Sequence, residues 1–394
     1  MSIVKKVLFV LSLACTLTAC KNKEENNTPA ALSMEELLAA RYDQLVNYPV
    51  DSLSFPRSYN RQKSEVQKVP SKDWTSGFFV GNLWQLYTLN GEDRFRESAE
   101  KWQPFMKKEE LNDRTHDMGF KIWCSYGEGF EQTGKEEYKD VILKSAQTLS
   151  TRYNETVGSL RSWDFNADIW EFPVIIDNMM NLELLFEATR ISGDSTYHNI
   201  AVNHANTTLK NQFRADNSTV HVVVYDTLKG NVKEKVTHQG FSDDSSWARG
   251  QGWAIYGYTM AYRYTRDQKY LDQAMKTASF YLDHPRLPQD GIPYWDFDDP
   301  AIPDSPRDVS AATVVASALV ELYGYTQDNT YLDYSRKVAG TLQTREYVLP
   351  ADLEAPFILD HSTGNWPKND EVDEPIVYGD YYFLELLIRL KELN

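Results

Sequence analysis

One phrase returns five times along this chain, and it constrains the fold more than any single motif does. It is a Gly or polar turn, then an acidic residue, then an aromatic that opens an amphipathic helix: Asn90-Gly91-Glu92-Asp93-Arg94-Phe95, Thr133-Gly134-Lys135-Glu136-Glu137-Tyr138, Ser192-Gly193-Asp194-Ser195-Thr196-Tyr197, Thr265-Arg266-Asp267-Gln268-Lys269-Tyr270 and Thr326-Gln327-Asp328-Asn329-Thr330-Tyr331. The starts lie about 40 to 75 residues apart, a spacing typical of repeat architectures. Each phrase follows a more apolar helix, expected at Phe78 to Leu89, Ile122 to Thr133, Ile175 to Ile191, Trp247 to Thr265 and Ala311 to Thr326. A sixth, Asp380 to Leu390, closes the chain, and Met34 to Tyr48 supplies a spare amphipathic helix at the other end. Short links make each pair antiparallel. Six inner helices and six outer ones predict an all-α (α/α)6 toroid, a single domain over residues 33–394. Three non-helical stretches interrupt it: a hairpin-like insertion at Val220 to Phe241, a Pro-rich loop at Pro285 to Arg307 and a long irregular loop at Leu349 to Val377. All three precede inner helices, so they gather on one rim, where function usually sits.

The first 20 residues read differently. Lys5 and Lys6 precede an apolar run from Val7 to Leu17, too short to span a membrane as a mature helix, and Leu17-Thr18-Ala19-Cys20 follows. That ending resembles the lipobox of bacterial lipoproteins, which implies cleavage before Cys20 and acylation of its thiol. The expectation is a periplasmic or outer-membrane lipoprotein, held to the membrane only through its lipid, with residues 21–32 as a polar tether. An ordinary cleaved signal is the competing reading. Cys124 then stands alone, so neither a disulfide framework nor a thiolate metal site can be built. A net charge of −16 weighs against nucleic acid along a basic groove. Oligomeric state is left open. Ten Trp and 24 Tyr exceed what a core needs, and sugar-stacking faces are one use of the excess.

Every inner helix begins with a polar or aromatic cluster that contains an Asp. A repeat that starts each helix alike would place an N-cap each time, and that is the expectation for Asp73, Asp308 and Asp380. Asp117, between His116 and Gly119-Phe120, and Asp177, inside the apolar run Glu171 to Glu187, are read as poorly solvated. Two carboxyls in a water-poor centre push one pKa upward, leaving a proton donor beside an ionised partner. That is the equipment of glycoside chemistry. Trp74, Phe79, Trp163, Trp247 and Trp253 are candidate stacking faces, and His221 and Gln239 bracket the hairpin over the rim. Arg249 either meets a substrate carboxylate or pairs with Asp243 or Asp244. Lys368 either receives a sulfate or other anion or is a solvated loop residue. The seven His show no tight ligand spacing for a metal.

Trp74-Thr75-Ser76-Gly77-Phe78-Phe79, His116-Asp117-Met118-Gly119-Phe120, Ile175-Ile176-Asp177-Asn178-Met179-Met180-Asn181-Leu182, Gly240-Phe241-Ser242-Asp243-Asp244-Ser245 with Trp247-Ala248-Arg249-Gly250-Gln251-Gly252-Trp253, and Tyr378-Gly379-Asp380-Tyr381-Tyr382-Phe383-Leu384-Glu385 together resemble glycoside hydrolase family 88, the unsaturated glucuronyl hydrolases. The resemblance implies an (α/α)6 fold and action on the 4,5-unsaturated uronic acid that polysaccharide lyases leave at a non-reducing end, by hydration of the C4=C5 vinyl ether and without metal or organic cofactor. It puts the general acid/base on Asp177 and the second essential carboxylate on Asp117. Substrate contacts fall on His221, Gln239, Trp247, Arg249 and Trp253, with Trp163 a looser match. Phe79 departs from the family, where Trp is expected. Glycosaminoglycan disaccharides are the favoured substrates. An unsaturated rhamnogalacturonyl hydrolase, an inverting glycosidase on saturated glycans and a non-catalytic glycan-binding lipoprotein are the competing readings.

Overall fold

A computed structural model describes residues 32–393. Its inner helices are α2 (Ser76–Asn90), a π-helix (Gly119–Gly127) that continues into α4 (Glu128–Thr133), α6 (Asn178–Ser192), α8 (Ala248–Thr265), α10 (Val309–Thr326) and α12 (Val377–Glu392). Each packs on the next, and α12 packs on α2, so the ring closes. The outer helices are α1 (Met34–Val46), α3 (Asp93–Trp102), α5 (Glu136–Ser150), α7 (Ser195–Asn211), α9 (Gln268–Leu282) and α11 (Asn329–Leu342). From α3 onward each packs on the inner helix it follows, whereas α1 lies against α2 and α3. The two sets differ as their sequences demand. All residues of α10 from Val309 to Val320 are buried, while α9 buries Tyr270, Leu271, Ala274, Thr277, Ala278 and Tyr281, a single helical stripe.

The recurring phrase is a turn with defined chemistry. Gly91, Gly134 and Gly193 end the inner helices in the left-handed conformation, and Arg266 and Gln327 adopt it in the last two repeats at φ 56° and 59°. Asp194, Asp267 and Asp328 then cap the outer helices by accepting from the backbone N–H two residues on.

The non-helical material holds more structure than the sequence reading assigns it. Strands β1 (Phe55–Asn60) and β2 (Glu65–Val69) form a hairpin, and a two-residue pair, β3 (Tyr153–Asn154) and β4 (Ser159–Leu160), follows α5. The expected hairpin is present as β6 (Val222–Tyr225) and β7 (Val232–Val236), but β6 also pairs with β5 (Pro173–Ile175). The run expected to start a helix at Ile175 is therefore a strand first. Pro173, Val174 and Ile175 face Val224, Val223 and Val222 across it, a pairing suited to β-branched side chains. The helix begins at Asn178. The loop expected to be irregular from Leu349 to Val377 contains β8 (Ser362–Asn365) paired with β9 (Asp370–Glu374).

Candidate active site

The N-terminal ends of the inner helices surround a cavity of about 460 Å³, in the range of small-molecule sites. Asp177 occupies the N-cap place of α6, but its side chain makes no capping bond. It faces the cavity, as does Asp117, which precedes the π-helix. The close approach that brings these two helix starts together depends on Gly119, because a Cβ there would sit 2.6 Å from the Cα of Asn181. Asn181 and Asn178 do not line the cavity. Asn181 Oδ1 accepts from the Phe120 N–H at 2.9 Å and Asn178 Nδ2 donates to the Leu160 carbonyl at 3.1 Å, so both amides lock α6 in place.

Burial pushes the Asp177 carboxyl up to about 7; Arg249 opposes the rise, Asp117 adds to it, and the Trp253 N–H holds it back slightly. Asp117 accepts from Thr115 Oγ1 at 2.5 Å and has His116 Nε2 at 3.2 Å. His221 Nε2 lies 3.7 Å from Asp177 Oδ2, and burial drives its pKa well below the ordinary value, so the ring is neutral. The Arg249 guanidinium lies over two rings, 4.7 Å from Trp247 and 5.4 Å from Tyr378. Its ion-pair partner is Asp308 at 2.7 Å, one repeat further on, and not Asp243 or Asp244. The same guanidinium donates to the carbonyls of Thr363 at 2.6 Å and Gly364 at 2.5 Å, and Gln239 Nε2 reaches the Gly364 carbonyl at 3.2 Å.

Of the expected stacking residues, Trp74 and Trp163 line the cavity. Trp74 lies 4.9 Å from Tyr378 and 5.5 Å from Phe120. Phe79 does not: it is fully buried between Tyr48 and Trp102, so it offers no face to a sugar. It lies on the flank of α2 that turns toward the outer layer. Trp253 is also fully buried, against Phe120 and Tyr382, and His221 and Trp247 are buried behind the wall rather than in it. Lys368 lines the cavity mouth, its Nζ 3.0 Å from His238 Nε2. Cys20 lies outside the described residues. Among the expected caps, Asp308 accepts from the Ser310 N–H as predicted. Asp73 accepts from the N–H and hydroxyl of Thr75 just ahead of α2. Asp380 caps nothing; it receives the N–H groups of Ile358 and Leu359 instead.

Several cavity residues were not singled out from sequence. Arg57 comes from β1 and grips Glu371 of β9 through two bonds of 2.6 and 2.8 Å, with Asp73 at 3.1 Å. His238 adjoins Gln239, and Tyr378 sits inside a motif noted only for its Asp. Arg114, Phe165 and Asn365 complete the mouth. Buried polar atoms with no hydrogen-bond partner converge here: Asp177 Oδ2, His221 Nε2, Trp253 Nε1, Trp163 Nε1, Asn365 Oδ1 and Tyr378 Oη. Such groups are costly unless something satisfies them, so their gathering in one place marks a site for a polar ligand. At the other end of the ring a cavity of about 510 Å³ is lined by Glu183, Glu321, Glu385, Arg263 and Arg389. Those charges spend themselves on one another, Arg263 with Glu183 at 2.5 Å and Glu321 at 2.6 Å, and Arg389 with Glu385 at 3.2 Å.

Residues 53–287 match the model of Glycosyl Hydrolase Family 88. The chain is 59% identical to an unsaturated glucuronyl hydrolase of Formosa agariphila over 98% of both proteins. It is 33% identical to an unsaturated chondroitin disaccharide hydrolase of Streptococcus pneumoniae over 82% of both. Its fold is similar to that of an unsaturated glucuronyl hydrolase specific for heparin, with a TM-score of 0.88 and 41% identity over 91% of this chain and 97% of that one.

Proposed function

The chain belongs to glycoside hydrolase family 88, and from that premise we propose that it removes 4,5-unsaturated glucuronic acid from the non-reducing end of lyase-generated oligosaccharides, glycosaminoglycan disaccharides first among them. It is an unsaturated glucuronyl hydrolase. One observation carries the choice of acid: Asp177 is a carboxyl raised to about 7, beside a second carboxyl, in an aromatic cavity rich in unpartnered donors. Protonated Asp177 delivers its proton to C4 of the C4=C5 bond, and positive charge develops at C5 and the ring oxygen. The ionised carboxylate then takes a proton from the water that adds to C5. The resulting hemiketal opens, and the glycosidic bond breaks as the sugar rearranges to an open-chain keto acid. Asp117 holds a sugar hydroxyl and, by its charge, keeps Asp177 protonated before reaction. C1 is not attacked, so carboxylate spacing does not govern a stereochemical outcome here.

The test follows the ultraviolet absorbance of the conjugated uronate as wild type or Asp177→Asn meets unsaturated disaccharides from chondroitin and from heparin lyases. Loss of signal with wild type alone supports the reaction and its acid together. No loss with any unsaturated uronide, with turnover of a saturated disaccharide, overturns the reading.

We also propose that Cys20 carries the lipid of a periplasmic or outer-membrane lipoprotein. The support is sequence alone: Lys5 and Lys6, the apolar run to Leu17, and Leu17-Thr18-Ala19-Cys20. Cys20→Ser is expected to abolish metabolic labelling by a fatty acid and to release the protein from the membrane fraction; a wild-type protein that takes up no label sinks the assignment.

A further inference from the structure

Behind Asp117 lies a set of buried polar groups that the packing does not use up. Asp117 is pinned from two sides, Oδ2 by the Thr115 hydroxyl at 2.5 Å and Oδ1 by His116 Nε2 at 3.2 Å. Burial lowers the pKa of His116, so its ring is neutral. For Nε2 to donate, the single ring proton must sit there, which leaves Nδ1 a bare acceptor. That Nδ1 is buried and has no hydrogen-bond partner. Asn178, whose amide acts on the same ring, has its Oδ1 in the same condition, because Nδ2 is spent on the Leu160 carbonyl at 3.1 Å. Two buried acceptors are thus left without a donor.

His204, on the outer helix α7, supplies one. Its Nδ1 accepts from the Leu160 N–H at 3.1 Å, so the ring proton sits on Nε2. Burial pushes its pKa down to about 3, with His116 adding to the fall, and the ring keeps that one proton. Nε2 is fully buried and unpartnered. Leu160 therefore anchors both His204 and Asn178, one through its N–H and the other through its carbonyl, and in a strand these two groups point to the same side. One donor and two acceptors are the complement of a single water, which accepts one bond and donates two. We infer that His204, Asn178 and His116, joined by one buried water, are positioning residues for Asp117. Donation runs from the Leu160 N–H to His204, from His204 to the water, from the water to Asn178 and His116, and from His116 to Asp117. A histidine that does not line the cavity thereby sets the direction of a carboxylate that does. The inference rests on the hydrolase reading, in which that carboxylate holds a sugar hydroxyl.

The experiment separates relay from scaffold with two variants of one residue. His204→Asn keeps an acceptor for the Leu160 N–H but is too short to present the second donor; His204→Gln reaches the place of Nε2 with an N–H and gives up the acceptor. In His204→Asn, kcat/KM for the unsaturated chondroitin disaccharide is expected to fall about tenfold while Tm holds, and in His204→Gln Tm falls while kcat/KM stays within about threefold. His116→Leu is expected to lose about a hundredfold. In an Asp117→Ala background neither His204→Asn nor His116→Leu lowers kcat/KM further, since no carboxylate is left to position. A reversed ranking of the two His204 variants, or losses that multiply with that of Asp117→Ala, overturns the relay. Nitrogen-15 spectra of the histidine rings need no substrate. Both His116 and His204 are expected as the Nε2–H tautomer, and a proton on Nδ1 of either overturns the inference, as does a crystal structure with no water in reach of the three atoms. A wild type that consumes no unsaturated disaccharide strikes the hydrolase reading instead, and the spectra and the crystal structure still decide the relay.

Discussion

His221 turns Nε2 toward Asp177, 3.7 Å from Oδ2, because its Nδ1 is already taken by the backbone N–H groups of His238 at 3.1 Å and Gln239 at 3.2 Å. Two donors on one ring nitrogen leave the proton on the other, so a neutral imidazole points an N–H at the acid. At 3.7 Å the two are not hydrogen-bonded, and it is the Arg249 charge that favours the ionised carboxylate, against the burial that favours the protonated one. Asp177 is balanced between two forms, which suits the proposed donor of one step and acceptor of the next.

The balance sets the pH dependence. In the proposed mechanism the acid is protonated Asp177, so kcat/KM is expected to fall as pH rises through about 7. Arg249 is the charge that supports the ionised form, so in Arg249→Gln the alkaline limb moves upward. A pH profile of both proteins checks this, and a limb that moves down in the variant contradicts it.

Stability runs against function at the same residue. The folded pKa of Asp177 lies above the ordinary carboxylate value, so between about pH 4 and 7 the folded chain holds a proton that the unfolded chain has released, and stability declines as pH rises across that window. Asp177→Asn is expected to lower kcat by about 10²- to 10⁴-fold and to raise Tm by about 4 °C at pH 8. At pH 4 the two melting temperatures converge. Thermal melts at both pH values measure it.

Arg57 and Glu371 stand 314 positions apart in the chain and meet through two bonds. Glu371, its side chain 1% exposed, sits in the hairpin whose Gly364 carbonyl receives both Arg249 and Gln239. Glu371→Ala leaves Arg57 short of a partner and frees that hairpin. A loss of about 2–4 kcal/mol in chemical denaturation is expected, with KM raised more than kcat is lowered.

Gly119→Ala tests the join between the two carboxylates. The added Cβ meets the backbone of Asn181 at 2.6 Å, a contact that no side-chain rotation relieves. The expected cost is about 1–3 kcal/mol, together with lost activity as the start of α6 moves.

The ring itself was legible because its information is local. Apolar helices, left-handed turns and capping Asp residues recur in the order the chain is read. The unpartnered, buried carboxyl of Asp177 was legible too, since it lies in an apolar run, whereas Asp117 finds the Thr115 hydroxyl and the His116 ring. What escaped lies across the fold. Arg249 finds Asp308 in the next repeat, and Arg57 finds Glu371 at the far end of the chain. Trp74 and Phe79 are five positions apart and equally aromatic, yet the turn ahead of α2 sends one to the cavity and the helix sends the other to the outer layer. Ile175, the last residue of the strand Pro173–Ile175, read as the start of a helix because the strand's partner, Val222–Tyr225, is distant in sequence.

Buried Arg41 of α1 donates to the carbonyls of Pro350, Leu353, Ala355 and Phe357, the last of these 316 positions away. β1 likewise meets β9 and the start of α12. Segments made first are thus fastened to segments made last. During synthesis Arg41 and the outer edge of β1 wait for these partners until nearly the whole polypeptide has left the ribosome, and the wall of the cavity is among the final pieces to be set.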